Sequence, residues 1–131
     1  MSIISEAVRS IFAKLSSEAP EEFFQYVADD VSWTVLGTHP LAGLYTSKHD
    51  FQEATFALLG KLFDSSLKLF TRQVLIDGDR ATVELFVRST SKNGVQFNND
   101  YCWICRFQGK KIVEVRAYLD SALVAEVIEH G

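Results

Sequence analysis

Four side chains in this sequence are suited to move a proton or to orient a polar ligand: Asp120, His39, Asn99 and Tyr101. Asp120 ends the run Gly109-Lys-Lys-Ile-Val-Glu-Val-Arg-Ala-Tyr-Leu-Asp120. There it can face a cavity mouth as a proton acceptor, or accept the free amide groups that open a following helix. Capping alone contributes about 1 kcal/mol, which is reason enough for an Asp. His39 lies in a Gly/Pro loop after the first strand, within Trp33-Thr-Val-Leu-Gly-Thr-His-Pro-Leu-Ala-Gly43. An imidazole titrates near neutrality, so His39 suits acid/base work wherever a partner positions it. The competing reading is a loop histidine bonded to backbone.

Asn99 and Tyr101 share a predicted inward strand face with Trp103, and Trp33, Val35 and Ala117 are predicted to face the same interior. Aromatic walls carrying one amide and one phenol have the composition of a small-molecule site. Trp33 and Tyr101 are assigned to the lining and Trp103 to core filling. An amide on an apolar strand face must find partners or cost a few kcal/mol, and a ligand or a water would supply them at Asn99.

Other chemistries lack their parts. There is no Gly-x-Ser-x-Gly, no phosphate-binding glycine loop, and neither Cys102 nor Cys105 has a neighbouring His. The cysteines point to opposite strand faces and cannot bridge each other, so free thiols in a reducing compartment are expected. The histidines, His39, His49 and His130, have no acidic residue at ligand spacing, so neither a metal nor a cofactor is expected.

The 131 residues, 47% hydrophobic and 12% aromatic, fit a single domain over 1–131 with a sizeable core. The net charge of -4 is dispersed and no Lys/Arg cluster occurs, which argues against nucleic acid. No signal-peptide pattern and no run of roughly 18 apolar residues is present, so no membrane role and a cytoplasmic location are expected.

Elements must position these residues. Residues 3 to 16 carry Ile4, Val8, Ile11, Phe12 and Leu15 at helical spacing, and Pro20 suits the start of a second helix holding Phe23, Phe24 and Val27. A strand from Val31 to about Leu36 runs into the loop of Gly37, Pro40 and Gly43. Ser47 and Asp50 then open a third and longest helix, striped by Phe51, Ala54, Thr55, Leu58, Leu59 and Leu62. From Leu67 the period becomes two, with hairpin turns at Asp77-Gly78-Asp79, Asn93-Gly94 and Gln108-Gly109. On the last strand Val113, Val115, Ala117 and Leu119 form the apolar set, and Ile112, Glu114, Arg116 and Tyr118 the mixed one. Glu84 and Arg88 fall on an outward face, where Arg106, Glu114 and Arg116 can pair with them. Leu123, Val124 and Val127 close the chain as a short helix capped by Asp120 or Ser121.

This order, with the Trp33 to Gly43 stretch and the Gly109 to Asp120 ending, resembles the SnoaL-like branch of the NTF2-like superfamily over nearly the whole chain. The resemblance implies an α+β, cone-shaped NTF2-like (cystatin-like) fold: three N-terminal helices packed on a curved, mostly antiparallel sheet, with a short C-terminal helix. It also implies an apolar cavity and a homodimer; Cys102, Ile104 and Tyr118 among charges on the outer sheet face fit either a second subunit packed there or simple partial exposure.

The superfamily's chemistries can be checked position by position. Aligned on Ala28-Asp29-Asp30, Val35 stands where ketosteroid isomerases resembling this chain have their base Asp, and Ile11 where they have a Tyr. Trp103 stands where the protonated Asp would be, so none of the three can act in that mechanism. Limonene-type epoxide hydrolases have an inward acid where this chain has Ala117, and Val83 to Val87 offers no Arg-x-Asp. For a polyketide cyclase using one acidic residue, Asp120 is the terminal-strand candidate. The resemblance therefore implies a protein that binds a small hydrophobic or cyclic molecule, with isomerase- or cyclase-like acid/base chemistry as its enzymatic form. The alternative is a non-catalytic ligand-binding or protein-interaction module.

Overall fold

The computed structural model describes residues 5–131, so Ile4 lies outside the described residues. Helix α1, Ser5–Ala13, buries Val8, Ile11 and Phe12 on one face and leads into a short 3-10 turn at Lys14–Ser16. The helix expected after Pro20 is a 3-10 segment, Pro20–Tyr26, and Val27 already opens strand β1, Val27–Val35. Carbonyls at the end of the 3-10 segment and the start of β1 also accept from distant lysines. Lys48 Nζ donates to Phe24 O at 2.9 Å and to Val27 O at 3.0 Å, and Lys111 Nζ donates to Gln25 O at 2.6 Å.

A three-residue strand, β2 (Gly43–Tyr45), pairs antiparallel with β1 inside what the sequence marks as loop. The expected long helix is two pieces, α2 (Lys48–Ala54) and α3 (Phe56–Gly60). Ser47 caps α2 by accepting from the Asp50 amide. The break falls at Thr55, where the backbone reaches φ -119 and ψ -76. The Thr55 hydroxyl donates to Phe51 O at 2.6 Å, the back-bonding that bends helices at threonine. The longest helix among the described residues is therefore α4, Ser121–His130, at the opposite end of the chain.

The remaining strands, β3 (Phe70–Asp77), β4 (Arg80–Thr90), β5 (Gln96–Gln108) and β6 (Lys111–Leu119), form a meander. The six-stranded sheet has the order β2-β1-β6-β5-β4-β3, with every neighbour antiparallel except β1 and β6. A register shift between Arg106 and Phe107 changes the assignment of faces on β6. Phe107 pairs with Ile112 and Arg106 with Glu114, so Ile112 turns inward and is fully buried, while Val113 takes the bulge. From Val115 onward the expected alternation holds, with Val115 and Ala117 buried.

The inner sheet face packs against α1, the 3-10 segment and α2 through a cluster of rings. Trp33 stacks on Phe51 at 3.8 Å and meets Trp103 edge-on at 5.2 Å; Phe12 and Phe23 close the cluster 5.0 Å apart.

Candidate functional site

Ala117 sits at the centre of the site because register puts it there. It pairs with Val35 on β1 and with Trp103 on β5, so a single methyl stands between two larger side chains on the inner face. Above it lies an apolar cavity of about 50 Å³. Trp33, Val35, Trp103 and Ala117 form its floor, and Tyr101 and Leu119, paired on the next row, form its rim. Phe51, Thr55, Phe56 and Leu59 from α2 and α3 form the roof. Trp103, assigned from the sequence to core filling, is buried and also reaches the cavity wall.

The roof was the part missed in the sequence. Its signal was present as the spacing of Phe51, Thr55 and Leu59, which stack every fourth residue on one helical face. What spacing did not convey was that this stripe faces open space where it crosses Ala117.

His39 reaches the cavity wall, is only 7% exposed, and has both ring nitrogens engaged with backbone. Nδ1 accepts from the Leu41 amide at 3.2 Å, which leaves Nε2 to donate to Leu36 O at 3.1 Å. This is the neutral imidazole with its proton on Nε2, assigned from its partners. The ring thereby fixes the loop from Leu36 to Leu41. Gly37 lets that loop pass close by, at φ +118 and with a position where a Cβ would collide with Ser121 Oγ.

Asp120 is exposed and caps α4, its Oδ1 accepting from the Leu123 amide at 3.2 Å. It is not among the residues of the cavity wall, which takes Leu119 before it and Val124 after it. Asn99, completely buried, lies behind the cavity and not on its surface. Its Oδ1 accepts from the Asp120 amide at 3.1 Å.

Three buried polar atoms have no hydrogen-bond partner among the described residues: Trp33 Nε1, Asn99 Nδ2 and Thr71 Oγ1. Two of these are N–H donors on the inner sheet face, at or next to the cavity. Each orphaned donor costs about 1–3 kcal/mol of desolvation. Beside them, burial pushes the Tyr101 phenol far above its ordinary value. Tyr101 is thus a protonated donor at neutral pH. The cavity wall holds no carboxylate. Among the described residues no group of three or more His, Cys, Asp or Glu side chains could hold a metal ion, and no helix is long and apolar enough to cross a membrane.

The outer sheet face carries the charges as expected, with different pairs. Arg88 and Arg72 both bind Asp100 Oδ1 at 3.1 Å, with their guanidinium groups each 5.0 Å from the Phe86 ring centre. Arg106 binds Glu114 at 3.0 Å, whereas Glu84 makes no ion pair among the described residues.

Known proteins share this architecture. The family model for the SnoaL-like domain matches residues 8–115. The dimerizing cyclase phiC of a fungal species (strain ATCC 74256) is 27% identical over 125 residues, which cover 92% of this chain and 55% of that protein. The chain therefore spans about half the length of that curated relative. An NTF2-like protein from Burkholderia thailandensis superposes with a TM-score of 0.78 at 22% identity, covering 94% of this chain and 95% of that one. TerC, crystallised with polyporic acid, superposes with a TM-score of 0.72 at 22% identity, covering 95% and 96%. At these identities the structural likeness shows the fold.

Proposed function

This chain belongs to the SnoaL-like domain family, and from that premise we propose that its inner cavity binds a small hydrophobic or cyclic molecule carrying a hydrogen-bond-accepting oxygen. The observation that carries the reading is the Trp33 indole N–H, buried at the cavity wall without a partner, next to an apolar void. A carbonyl or enol oxygen satisfies such a donor, and burial makes that bond count. TerC, a neighbour of the same fold, was co-crystallised with polyporic acid, and phiC is a relative with a cyclase name, so cyclase-like chemistry is the enzymatic form of this proposal. Tyr101 is then a hydrogen-bond donor to the ligand oxygen, and His39 becomes available only if its bond to Leu36 O is given up.

The test uses the two tryptophans, Trp33 and Trp103, which both line the cavity and so report on it. Titration with a neutral aromatic ketone such as 1-tetralone is expected to quench their fluorescence with saturation, and Trp33→Phe to weaken binding about tenfold by removing one buried hydrogen bond. Unsaturable quenching, equal in protein and in free tryptophan, would sink the proposal.

The outer sheet face supports a second copy of the chain as partner. One row of outward residues crosses all six strands in register: Leu44, Thr34, Arg116, Ile104, Thr82 and Leu75. Leu44 and Leu75, at its two ends, are 60% and 58% exposed, and Tyr118 and Phe70 add further exposed apolar surface. Sedimentation equilibrium is expected to give twice the chain mass, and Ile104→Glu to return the monomer; a monomeric wild type rules the pairing out.

A further inference from the structure

The cavity is too small for the molecule its chemistry asks for. An apolar void of roughly 150 Å³ accepts benzene, and this one has about 50 Å³. The missing room lies across a shared wall. On the far side of α2 and α3 is a groove of about 360 Å³, bounded by Leu15, Phe24, His49 and Glu53, and Phe56 and Leu67 belong to the walls of both spaces.

Phe56 is built to move. It is the first residue of α3, directly after the break at Thr55, and it is half-buried where its neighbours Thr55 and Leu59 are buried. Its ring meets Phe24 at 5.4 Å and Phe51 at 5.8 Å, both edge-on, so it closes the wall by ring contacts and not by enclosure in the core. A turn about one side-chain torsion, from one staggered position to another, is the motion an opening at Phe56 requires.

Resting on the proposed ligand cavity, we infer that Phe56 is the gate of an elongated binding site made of cavity and groove together, and that its occupant is an elongated amphipathic molecule. The apolar ring end passes Phe56 and lies over Ala117. The other end rests in the groove among Gln52, Glu53, Glu21 and His49, where the two carboxylates disfavour an anion and accept from hydrogen-bond donors.

Two dansyl probes test this, with energy transfer from Trp33 and Trp103 as the signal. Dansylamide carries the ring alone and dansylcadaverine adds an ammonium tail. Both are expected to bind, dansylcadaverine about threefold tighter, an advantage that Glu53→Gln reduces. In stopped-flow mixing, Phe56→Ala is expected to raise the association rate of both about tenfold and Phe56→Trp to lower it, with Phe56→Leu intermediate should the alanine variant unfold. Association rates indifferent to the residue at 56, with transfer still present, overturn the gate and leave the cavity reading standing. A tail that gives no advantage overturns the amphipathic occupant. If neither probe gives transfer even with Phe56→Ala, the cavity reading falls and the gate with it.

Discussion

Asn99 Oδ1 accepts the backbone N–H of Asp120 at 3.1 Å, tying the middle of β5 to the residue that caps α4. The same amide leaves its Nδ2 unpartnered in a fully buried position. Asn99→Leu removes the orphan donor together with the acceptor, so its expected cost is modest, about 1–2 kcal/mol. Asn99→Asp keeps the acceptor and buries a carboxylate, whose folded-state pKa must lie above the unfolded value of about 3.9. Its ionisation penalty is therefore least at and below that value and grows as pH rises above it. Urea midpoints at two pH values check this; an aspartate variant as stable as wild type at neutral pH would mean the site is wet.

Cys105 and Tyr101 predict an alkaline limit to stability. Burial raises the folded-state pKa of both above the ordinary values of 9.0 and 10.0. Below those values both states hold the proton and the full contribution is present. Above them the unfolded chain releases protons that the folded chain keeps, so stability falls as pH climbs toward the folded-state values. For Cys105 the slope reaches at most about 1.4 kcal/mol per pH unit. Cys105→Val is expected to leave the neutral-pH urea midpoint nearly unchanged and to flatten the decline above about pH 9. An identical decline in the variant would assign the alkaline limit elsewhere.

Ala117 sets the size of the cavity, so Ala117→Leu fills it. The expected result is loss of ketone binding with a stability change within about 1–3 kcal/mol, the range for added volume in a core with a little free space. Thermal melts and fluorescence titration separate the two effects, and retained affinity would move the ligand away from the β1/β6/β5 row.

Asp120 distinguishes capping from catalysis through two substitutions. Asn caps as well as Asp, whereas Ala removes the bond to the Leu123 amide and costs about 1 kcal/mol. Asp120→Asn is expected to melt like wild type and to bind probes equally. Where a turnover assay is in hand, an Asp120→Asn variant that folds normally but is inactive would give the carboxylate a chemical role.

The meander was legible because period-two alternation and three glycine turns act locally: Gly78, Gly94 and Gly109 all have positive φ. Asp120 as a cap followed from the same local chemistry. Thr55 shows where local reading ends. Its apolar neighbours continue the helical stripe, while the break coincides with its hydroxyl bonding back to Phe51 O. Ile112 shows the same limit in a strand, since a bulge reverses which face a residue takes and leaves no mark on composition. The sheet side of the cavity could be read from alternation, residue by residue. Its helical roof, and the engagement of both His39 nitrogens, depend on how a loop and two short helices fold back over Ala117, which is tertiary information.

The parallel pairing of β1 with β6 has a consequence for the order of assembly. Val35 and Ala117, partners in the cavity floor, come from opposite ends of the described chain. The hairpins from β3 through β6 close short loops and can form early, whereas β1 and β2 can join only once β6 exists to receive them. β5 and β6 must therefore be synthesised before Trp33 can meet Trp103 and the Ala117 row, and until then that side of its indole is a surface that other nascent chains or a chaperone can reach.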